Sequence, residues 1–247
     1  MPYFRREGAQ IYYETQGSGF PLLLLPPGGM NATIDAWQLS AFSPVEIFSR
    51  EYWTVTLDQR NSGRSTGALD MEDPWGSYAD DQLYLMNHLG CEQFLVLGCC
   101  MGGSSVLKLM ERAPHRVVAG VLEQPIGISD ENREVLRDNL SLRWATELAK
   151  RRPELNEADI HAFRNRMFAP EGNFVYSVTR EFVSSCTTPM LVMPGNVGNL
   201  DHPHPIGLEI AARAPNSELL EDWRYPADIV PATVAHIRRF LKAHTPG

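Results

Sequence analysis

A run of small residues around two adjacent cysteines is the part of the sequence best suited to chemistry. An apolar segment, residues 94–98, leads into residues 98–102 (Gly-Cys-Cys-Met-Gly), and an apolar-periodic segment follows. This pattern predicts a strand, a tight turn and a helix whose N-terminus stabilises an anion at the turn. A thiol is a competent nucleophile once ionised. Cys100, at the tip of the turn, is therefore the candidate nucleophile, and Cys99 is interpreted as a small buried residue.

The turn resembles the Gly-x-Ser-x-Gly nucleophile elbow of the α/β-hydrolase superfamily, with cysteine in place of serine, as in its dienelactone-hydrolase branch. Two further segments extend the resemblance over nearly the whole chain. Residues 22–30 (LLLLPPGGM) lie where the family has its oxyanion loop, and residues 57–65 (LDQRNSGRS) match its Asp-x-Arg-x-x-Gly-x-Ser turn. The resemblance implies an α/β-hydrolase fold and an oxyanion hole formed by the backbone amides of Gly29 and Met101.

The acid and base of the site are less clearly marked. The family places its acid after the strand predicted at residues 188–195 and its histidine after the last strand, where this chain has Arg-Tyr-Pro at residues 224–226. Asp201 occupies the acid's loop. His202, beside it, is the candidate base at the C-terminal edge of the sheet. The alternative is that His202 and Pro203 form a structural turn before the next helix.

Other titratable residues offer fewer possibilities. Glu123, at the end of the strand predicted at residues 117–124, is an alternative acid at the same sheet edge, with a buried structural role as the competing interpretation. His204 is a second histidine of the Asp201 loop. The remaining histidines are interpreted as surface or capping residues: His88, His115, His161, His236 and His244.

Strands and helices are predicted to alternate around these residues. Apolar or alternating segments predict strands at residues 11–19, 21–29, 52–58, 94–98, 117–124, 188–195 and 217–223. Helical periodicity is found at residues 34–50, 77–90, 204–215 and 228–244, with Ser77 as the expected cap of the second helix. The alternation is typical of a mostly parallel central sheet with helices on both faces. Asp58, Arg60 and Arg64 are interpreted as residues that hold a turn by hydrogen bonds.

Residues 125–188 are predicted to form a small helical cap inserted within a single domain that spans residues 1–247. Amphipathic segments at residues 132–152 and 158–170 support this, and no strand pattern interrupts them. The large apolar residues expected to shape a pocket under the cap are Leu140, Trp144, Phe163, Met167 and Phe168.

The amino-acid composition limits the kinds of molecule that the protein is expected to bind. Apolar residues make up 43% and charged residues 21% of the chain, as in a globular protein with a sizeable core. The formal net charge of -8 disfavours nucleic acid as a ligand. No apolar stretch is long enough for a membrane anchor. The four cysteines have neither a disulfide framework nor zinc-type spacing, so we expect a cytoplasmic protein without a structural metal.

Three functions follow as hypotheses. The first is a cofactor-free, metal-free hydrolase acting on an ester, lactone or thioester of a small, mostly apolar acid, in which Cys100 attacks and Asp201 and His202 serve as acid and base. The histidine missing from the family's position motivates a second, a cofactor-free enzyme of carbon–carbon cleavage or proton transfer. The third is a catalytically silent member that binds a small ligand or a partner protein. The oligomeric state is left open, with a homo-oligomer allowed.

Overall fold

In a computed structural model of the chain, residues 3–6, 8–130, 132, 142–169 and 174–247 are described. The strands are β1 (Tyr3–Arg6), β2 (Ala9–Gln16), β3 (Pro21–Leu25), β4 (Trp53–Leu57), β5 (Thr66–Gly67), β6 (Phe94–Cys99), β7 (Val117–Glu123), β8 (Met190–Met193) and β9 (Ser217–Leu219). They form one sheet in the order β1-β2-β4-β3-β6-β7-β8-β9, with β5 paired to β2. β1, β2 and β5 pair antiparallel, while β4, β3 and β6 to β9 are parallel. The predicted α/β-hydrolase architecture is confirmed.

The described helices are α1 (Pro44–Phe48), α2 (Pro74–His88), α3 (Met101–Arg112), α4 (Leu142–Arg151), α5 (Glu157–Met167), α6 (Arg180–Ser185), α7 (His204–Arg213) and α8 (Val230–His244). None of these described helices is long and apolar enough to cross a membrane. α2 begins earlier than the sequence pattern predicted. Asp73, not Ser77, is its cap, because the Asp73 carboxylate accepts a hydrogen bond of 2.9 Å from the amide of Gly76.

The helix predicted over residues 34–50 is broken in the structure. A 3₁₀ helix at Ile34–Leu39 precedes α1, and the two are separate. Pro44 cannot donate a backbone hydrogen bond, so it begins a new helix, and the Ser43 hydroxyl caps that helix by accepting from the amide of Glu46 at 3.4 Å.

The sheet is covered on both faces, which explains the continuous apolar runs in the sequence. All six residues of β6 are buried. Leu23, Leu25 and Val96 pack with α2 and α3 on one face, whereas Leu22 and Leu97 pack with α8 on the other. The strand that leads to Cys100 therefore lies at the centre of the molecule and is held by both layers.

Helices α4 and α5 lie between β7 and β8, in the segment predicted as a cap, and α4 packs on the turn at residues 58–64. The indole of Trp144 donates to the carbonyl of Asn61 at 3.2 Å, and Arg151 donates to the carbonyls of Asn61 and Gly63 at 3.0 and 2.8 Å. Part of the predicted first cap helix (residues 133–141, with Leu140) lies outside the described residues, as do residues 170–173. The boundaries of the cap remain a prediction.

The turn itself is held by buried charges. The Asp58 carboxylate accepts from the Arg64 guanidinium at 2.6 Å and from the amide of Ile34 at 2.9 Å. Arg60 forms a two-point ion pair with the fully buried Asp81, at 2.7 and 2.6 Å. Such planar, two-point pairs fix geometry as well as charge. Asp58, Arg60 and Arg64 therefore support the turn that carries the cap.

The start of α3 packs unusually close to the sheet. A Cβ atom on Gly102 would overlap the carbonyl oxygen of Leu25 in β3, and a Cβ on Gly98 would overlap the carbonyl of Gly102. At Gly103 the corresponding contacts are 3.2 Å or longer. The first two positions therefore require glycine for space, while Gly103 lies near the limit of tolerance.

We expect Gly102→Ala to lower the free energy of unfolding by about 2–4 kcal/mol, because strand β3 has no room to move away. Gly103→Ala is the matched control and is expected to lose clearly less. Urea unfolding followed by circular dichroism measures both. Equal losses in the two variants would show that the approach of α3 to β3 does not require glycine at this point.

Candidate active site

Cys100 lies at the turn between β6 and α3 in a strained backbone conformation. Its φ of 60° and ψ of −122° are rare for a residue with a side chain. The strain is maintained by hydrogen bonds on both sides: the Cys100 amide donates to the carbonyl of Glu123 at 2.9 Å, and the Cys100 carbonyl accepts from the amide of Gly103 at 3.0 Å. Strained residues of this kind concentrate at functional sites.

The thiol of Cys100 is acidified by its surroundings. Burial alone raises the pKa of this thiol, but the charge and hydrogen bonding of His202 and the amides of Gly28 and Met101 outweigh burial, and the net shift of its pKa is downward. A lowered pKa increases the fraction of thiolate, which is the nucleophilic form.

His202 is placed beside this thiol by a short loop after β8. Asn199 accepts hydrogen bonds from the amides of Asp201 and His202, at 3.0 and 3.1 Å, and so forms the turn that presents the imidazole. Gly195 lies against the His202 backbone with no space for a Cβ. The sequence suggested no role for Asn199 or Gly195. An Asx turn ahead of a histidine was the available signal for Asn199.

The pKa of the His202 imidazole shifts in the direction opposite to that of the Cys100 thiol. Burial lowers the pKa of the imidazole, but Cys100 and, to a smaller extent, Asp201 raise it, and the net shift of its pKa is upward. The two partners thus shift in the directions of a thiolate–imidazolium pair. Both ring nitrogens are shielded from solvent, and the imidazole is close enough to the Cys100 sulfur to interact with it, although the contact lies outside normal hydrogen-bond geometry.

Asp201 and His204 are placed less directly. Asp201 is exposed, lines the cavity beside His202 and makes no side-chain hydrogen bond with it. His204 lies at the start of α7, where its ring contacts the carbonyl of Gly195 at 2.8 Å and Glu221 at 3.3 Å. Its ring is occupied there and does not line the cavity at Cys100.

Amides suited to an oxyanion hole surround the sulfur. The amides of Met101 and Gly28 interact with the Cys100 sulfur. Gly29, the glycine named from the sequence, lines the same cavity one residue further on. Positive φ values of 122° at Gly28 and 60° at Gly29 turn this loop toward the sulfur, a conformation that glycine adopts without strain.

A cavity of about 270 Å³ opens at the Cys100 thiol. One part of its wall is apolar, and the polar part includes Ser40 and Gln124 as well as the site residues. The full lining is Pro27, Gly28, Gly29, Leu39, Ser40, Cys100, Gln124, Ile126, Phe168, Asp201 and His202. Of the apolar cap residues named from the sequence and described in the structure, only Phe168 is among these lining residues.

Gln124 and Arg224 were not recognised from the sequence as parts of the site. Gln124 is buried, has a positive φ of 39° and donates to the Cys99 sulfur at 3.6 Å. The Arg224 guanidinium donates to the Gln124 side chain. Arg224 thus lies beside the site from the chain position at which the family has its histidine.

Two further ionisable groups lie behind Cys100. Cys99 is fully buried, and burial raises the pKa of its thiol well above the usual value. Glu123 is only 1% exposed, and burial raises the pKa of its carboxyl to about 8, against the opposing effects of Arg224, Cys99 and His202. Among the described residues, no group of three or more His, Cys, Asp or Glu side chains is placed to hold a metal ion.

Comparison with models of protein families shows the family to which the chain belongs. Residues 21–186 match the family model described as alpha/beta hydrolase fold. The chain belongs to this family. The match spans more than half of the chain and includes β3, the turn at Cys100 and β7.

The chain resembles individual curated proteins only at low sequence identity. The chain is 29% identical to zearalenone hydrolase of Cladophialophora bantiana over 54% of this chain and 49% of that protein. It is 28% identical to the putative carbamate hydrolase RutD of Azorhizobium caulinodans over 47% and 42% of the two chains. The chain thus spans about half the length of the curated relatives it matches. The enol-lactonase of Burkholderia xenovorans superposes with a TM-score of 0.71 at 17% identity over 98% of this chain and 100% of that one, which shows the shared fold.

The opposite pKa shifts of the cysteines lead to a labelling prediction. We expect iodoacetamide at pH 7 to modify Cys100 at least about tenfold faster than any other cysteine, because burial raises the pKa of the thiols of Cys91, Cys99 and Cys186. Mass spectrometry of digested protein measures each site, and Cys100→Ser is the control. Preferential modification of another cysteine would contradict the acidified state of Cys100.

The raised pKa of Glu123 leads to a prediction about stability. Between about pH 4.5 and 8 the folded protein keeps the Glu123 proton that the unfolded chain releases, so this group makes the free energy of unfolding fall as pH rises, by up to about 1.4 kcal/mol per pH unit. Glu123→Gln removes the group. We expect the variant to gain stability relative to the unmodified protein between pH 5 and 8 in urea titrations. A difference that does not vary with pH would show that the carboxyl is already ionised in the folded protein.

Proposed function

We propose that this protein is a hydrolase that cleaves an ester, lactone or thioester of a small, mostly apolar acid by nucleophilic attack of Cys100. The observation that carries the proposal is the acidified thiol at the tip of the elbow, in contact with an imidazole and two backbone amides. A thiolate held in this way needs only a carbonyl carbon within reach to form an acyl-enzyme.

In the acylation step, the thiol proton moves to His202 and the sulfur attacks the carbonyl carbon. The developing oxyanion accepts hydrogen bonds from the amides of Met101 and of the Gly28–Gly29 loop, aided by the N-terminus of α3. The tetrahedral intermediate collapses to a thioester on Cys100, and the imidazolium gives its proton to the leaving group.

In the deacylation step, a water molecule attacks the thioester while the imidazole of His202 accepts its proton. Collapse of the second tetrahedral intermediate releases the acid and regenerates the thiolate–imidazolium pair. Asp201 contributes a negative charge next to His202, which raises the pKa of the imidazole. In this scheme Asp201 acts at a distance, since its carboxylate has no hydrogen bond to the ring.

The cavity supports the choice of substrate class. Its volume of about 270 Å³ is at the small end of ligand pockets, and Leu39, Ile126 and Phe168 form apolar wall. Among the described lining residues there is no pair of cationic side chains, which argues against a highly anionic acid. A short, mostly apolar acyl group fits these walls.

The central test is a set of variants assayed on short-chain p-nitrophenyl esters, lactones and thioesters. We expect Cys100→Ala to lower kcat by about 10³-fold or more, and Cys100→Ala/His202→Ala to add little, since residues that act as a unit are not additive. Cys186→Ala, which changes a buried cysteine that is not among the lining residues of the cavity, is the matched control and should keep its activity.

Two results would overturn the proposal. Hydrolysis retained by Cys100→Ala would remove the thiol from the nucleophile role. No hydrolysis of any substrate class by the unmodified protein, together with saturable binding of a small acid in calorimetry, would favour a ligand-binding member of the family.

A second test concerns the acyl group. Phe168 lines the cavity and packs edge-on against Tyr176 with ring centroids 5.3 Å apart, so Phe168→Ala should enlarge the acyl site. We expect the optimum of kcat/KM to move to acyl chains longer by about two to four carbons, at about 0.8 kcal/mol for each methylene newly buried. Phe163→Leu, which changes a buried residue outside the lining, is the control. An unchanged chain-length profile in Phe168→Ala would place the acyl group elsewhere.

A further inference from the structure

Two polar side chains of the cavity wall take no part in the proposed reaction. They are Ser40, which follows the 3₁₀ helix at Ile34–Leu39, and Gln124, which follows β7. The other described lining residues are apolar or belong to the proposed reaction. A few placed polar groups in an apolar wall fix the orientation and identity of a ligand. The Ser40–Gln124 pair is therefore a candidate subsite for a polar group of the substrate.

Both side chains are held by one buried sulfur. The Ser40 hydroxyl and the Gln124 amide each donate to Cys99 Sγ at 3.6 Å. Because both bonds end on the same atom, Ser40 Oγ and Gln124 Nε2 are no further apart than twice this distance. Cys99 is fully buried at the end of β6, and burial raises the pKa of its thiol well above the usual value. The sulfur is thus a fixed, uncharged anchor for the pair.

The guanidinium of Arg224 determines which end of the Gln124 amide faces the cavity. It donates to Gln124 Oε1, and arginine has donors only, so the amide oxygen must face Arg224 while the NH₂ group faces Cys99. Arg224 is not among the lining residues, and its Nε is buried without a partner in the described part of the chain. It therefore holds Gln124 from behind the wall. The φ of 39° at Gln124, rare for a residue with a side chain, also requires tight surroundings.

The hydrogen-bonding capacity left on the pair defines the group that it can bind. A glutamine amide has two N–H donors, and Cys99 takes one of those of Gln124. A serine hydroxyl has one donor, which Cys99 also takes, and two acceptor lone pairs. No side chain among the described residues takes the second N–H or donates to Ser40 Oγ. The pair thus offers one donor and one acceptor. A hydroxyl group satisfies both at once, whereas a ketone satisfies only the donor and an ammonium group only the acceptor.

We propose that the Ser40–Gln124 pair binds a hydroxyl group on the acyl chain, so that the preferred substrates are esters or thioesters of a short hydroxy acid. The Gln124 N–H donates to the hydroxyl oxygen, and the hydroxyl donates to Ser40 Oγ. Cys99 directly precedes Cys100, and consecutive Cα atoms are about 3.8 Å apart, so the pair meets the acyl chain within a few carbons of its carbonyl. This inference rests on the proposed function, because it places the acyl group on Cys100.

The test compares two substrates that differ in a single group, p-nitrophenyl 3-hydroxybutanoate and p-nitrophenyl 3-methylbutanoate, in which a methyl group of similar size replaces the hydroxyl. We expect the unmodified protein to favour the hydroxy ester by about 10-fold or more in kcat/KM, because the methyl analogue leaves polar groups unpaired. Ser40→Ala and Gln124→Met each remove one partner and should reduce this preference to about threefold or less. Their kcat/KM for the methyl ester should change less than about twofold. The intrinsic reactivity of the two esters is the same for every variant, so the change in the ratio measures the subsite.

Two further variants separate the hydroxyl group from general effects on structure. Ser40→Thr keeps a hydroxyl and should retain the preference. Ser217→Ala is the matched control, since it removes a serine hydroxyl that donates to backbone carbonyls outside the cavity lining. Calorimetry with the two free acids gives a measurement without turnover, in which we expect 3-hydroxybutanoate to bind about 10-fold more tightly than 3-methylbutanoate.

The possible results are distinct. Equal kcat/KM for the two esters, or a preference that both Ser40→Ala and Gln124→Met leave unchanged, would overturn the inference and leave the hydrolase in place. Tighter binding of the hydroxy acid without hydrolysis of either ester would refute the proposed function and support the subsite. Neither hydrolysis nor a difference in affinity would refute both. If one of the two variants does not fold, the other decides the test together with Ser40→Thr.

Discussion

The close approach of α3 to the sheet is the constraint on which the site depends. Gly98 and Gly102 leave no space for a Cβ, so the chain must turn sharply at Cys100 and hold it at a φ of 60°. Such a conformation costs about 1–3 kcal/mol and persists only where packing on all sides enforces it. β6, buried in all six residues, provides that packing. The strain places the sulfur next to the amides that acidify it.

A second constraint is the competition between burial and charge. Burial acts in the same direction on Cys99, Cys100 and Glu123, since it disfavours the ionised form of each. Only at Cys100 is it outweighed, because an imidazole and two amides face the sulfur. Adjacent cysteines with the same side chain thereby acquire opposite pKa shifts. The difference arises because Cys99 is the last residue of β6 and is buried in the core, whereas Cys100 lies in the turn after β6 and lines the cavity.

Hydrogen bonds connect both the cap helix α4 and the loop of His202 to other parts of the fold. The turn that holds α4 through Asn61 is itself held by Asp58 and by the Arg60–Asp81 pair, so these buried charges also support the cap helix. On the other side, Asn132 donates to the carbonyl of Leu200 at 2.9 Å, which connects the entry to the cap with the loop of His202. The cap helix and the loop of His202 are therefore positioned by hydrogen bonds that do not involve the side chains of Cys100 or His202.

The sequence by itself determined the fold and the sharp turn at Cys100, because the apolar runs, the glycines around Cys100 and the order of elements are local patterns along the chain. The role of Cys100 as a nucleophile stays a prediction. It could not show which of the two candidate carboxylates is buried, since Glu123 and Asp201 are 78 positions apart and only the structure places the first in the core and the second at the surface. It also missed that Gly28 faces the sulfur, that Arg224 reaches Gln124 and that Pro44 breaks the first helix. Burial, and the distance between groups far apart in the chain, decide which charges are screened and which interact, and only the tertiary structure fixes both.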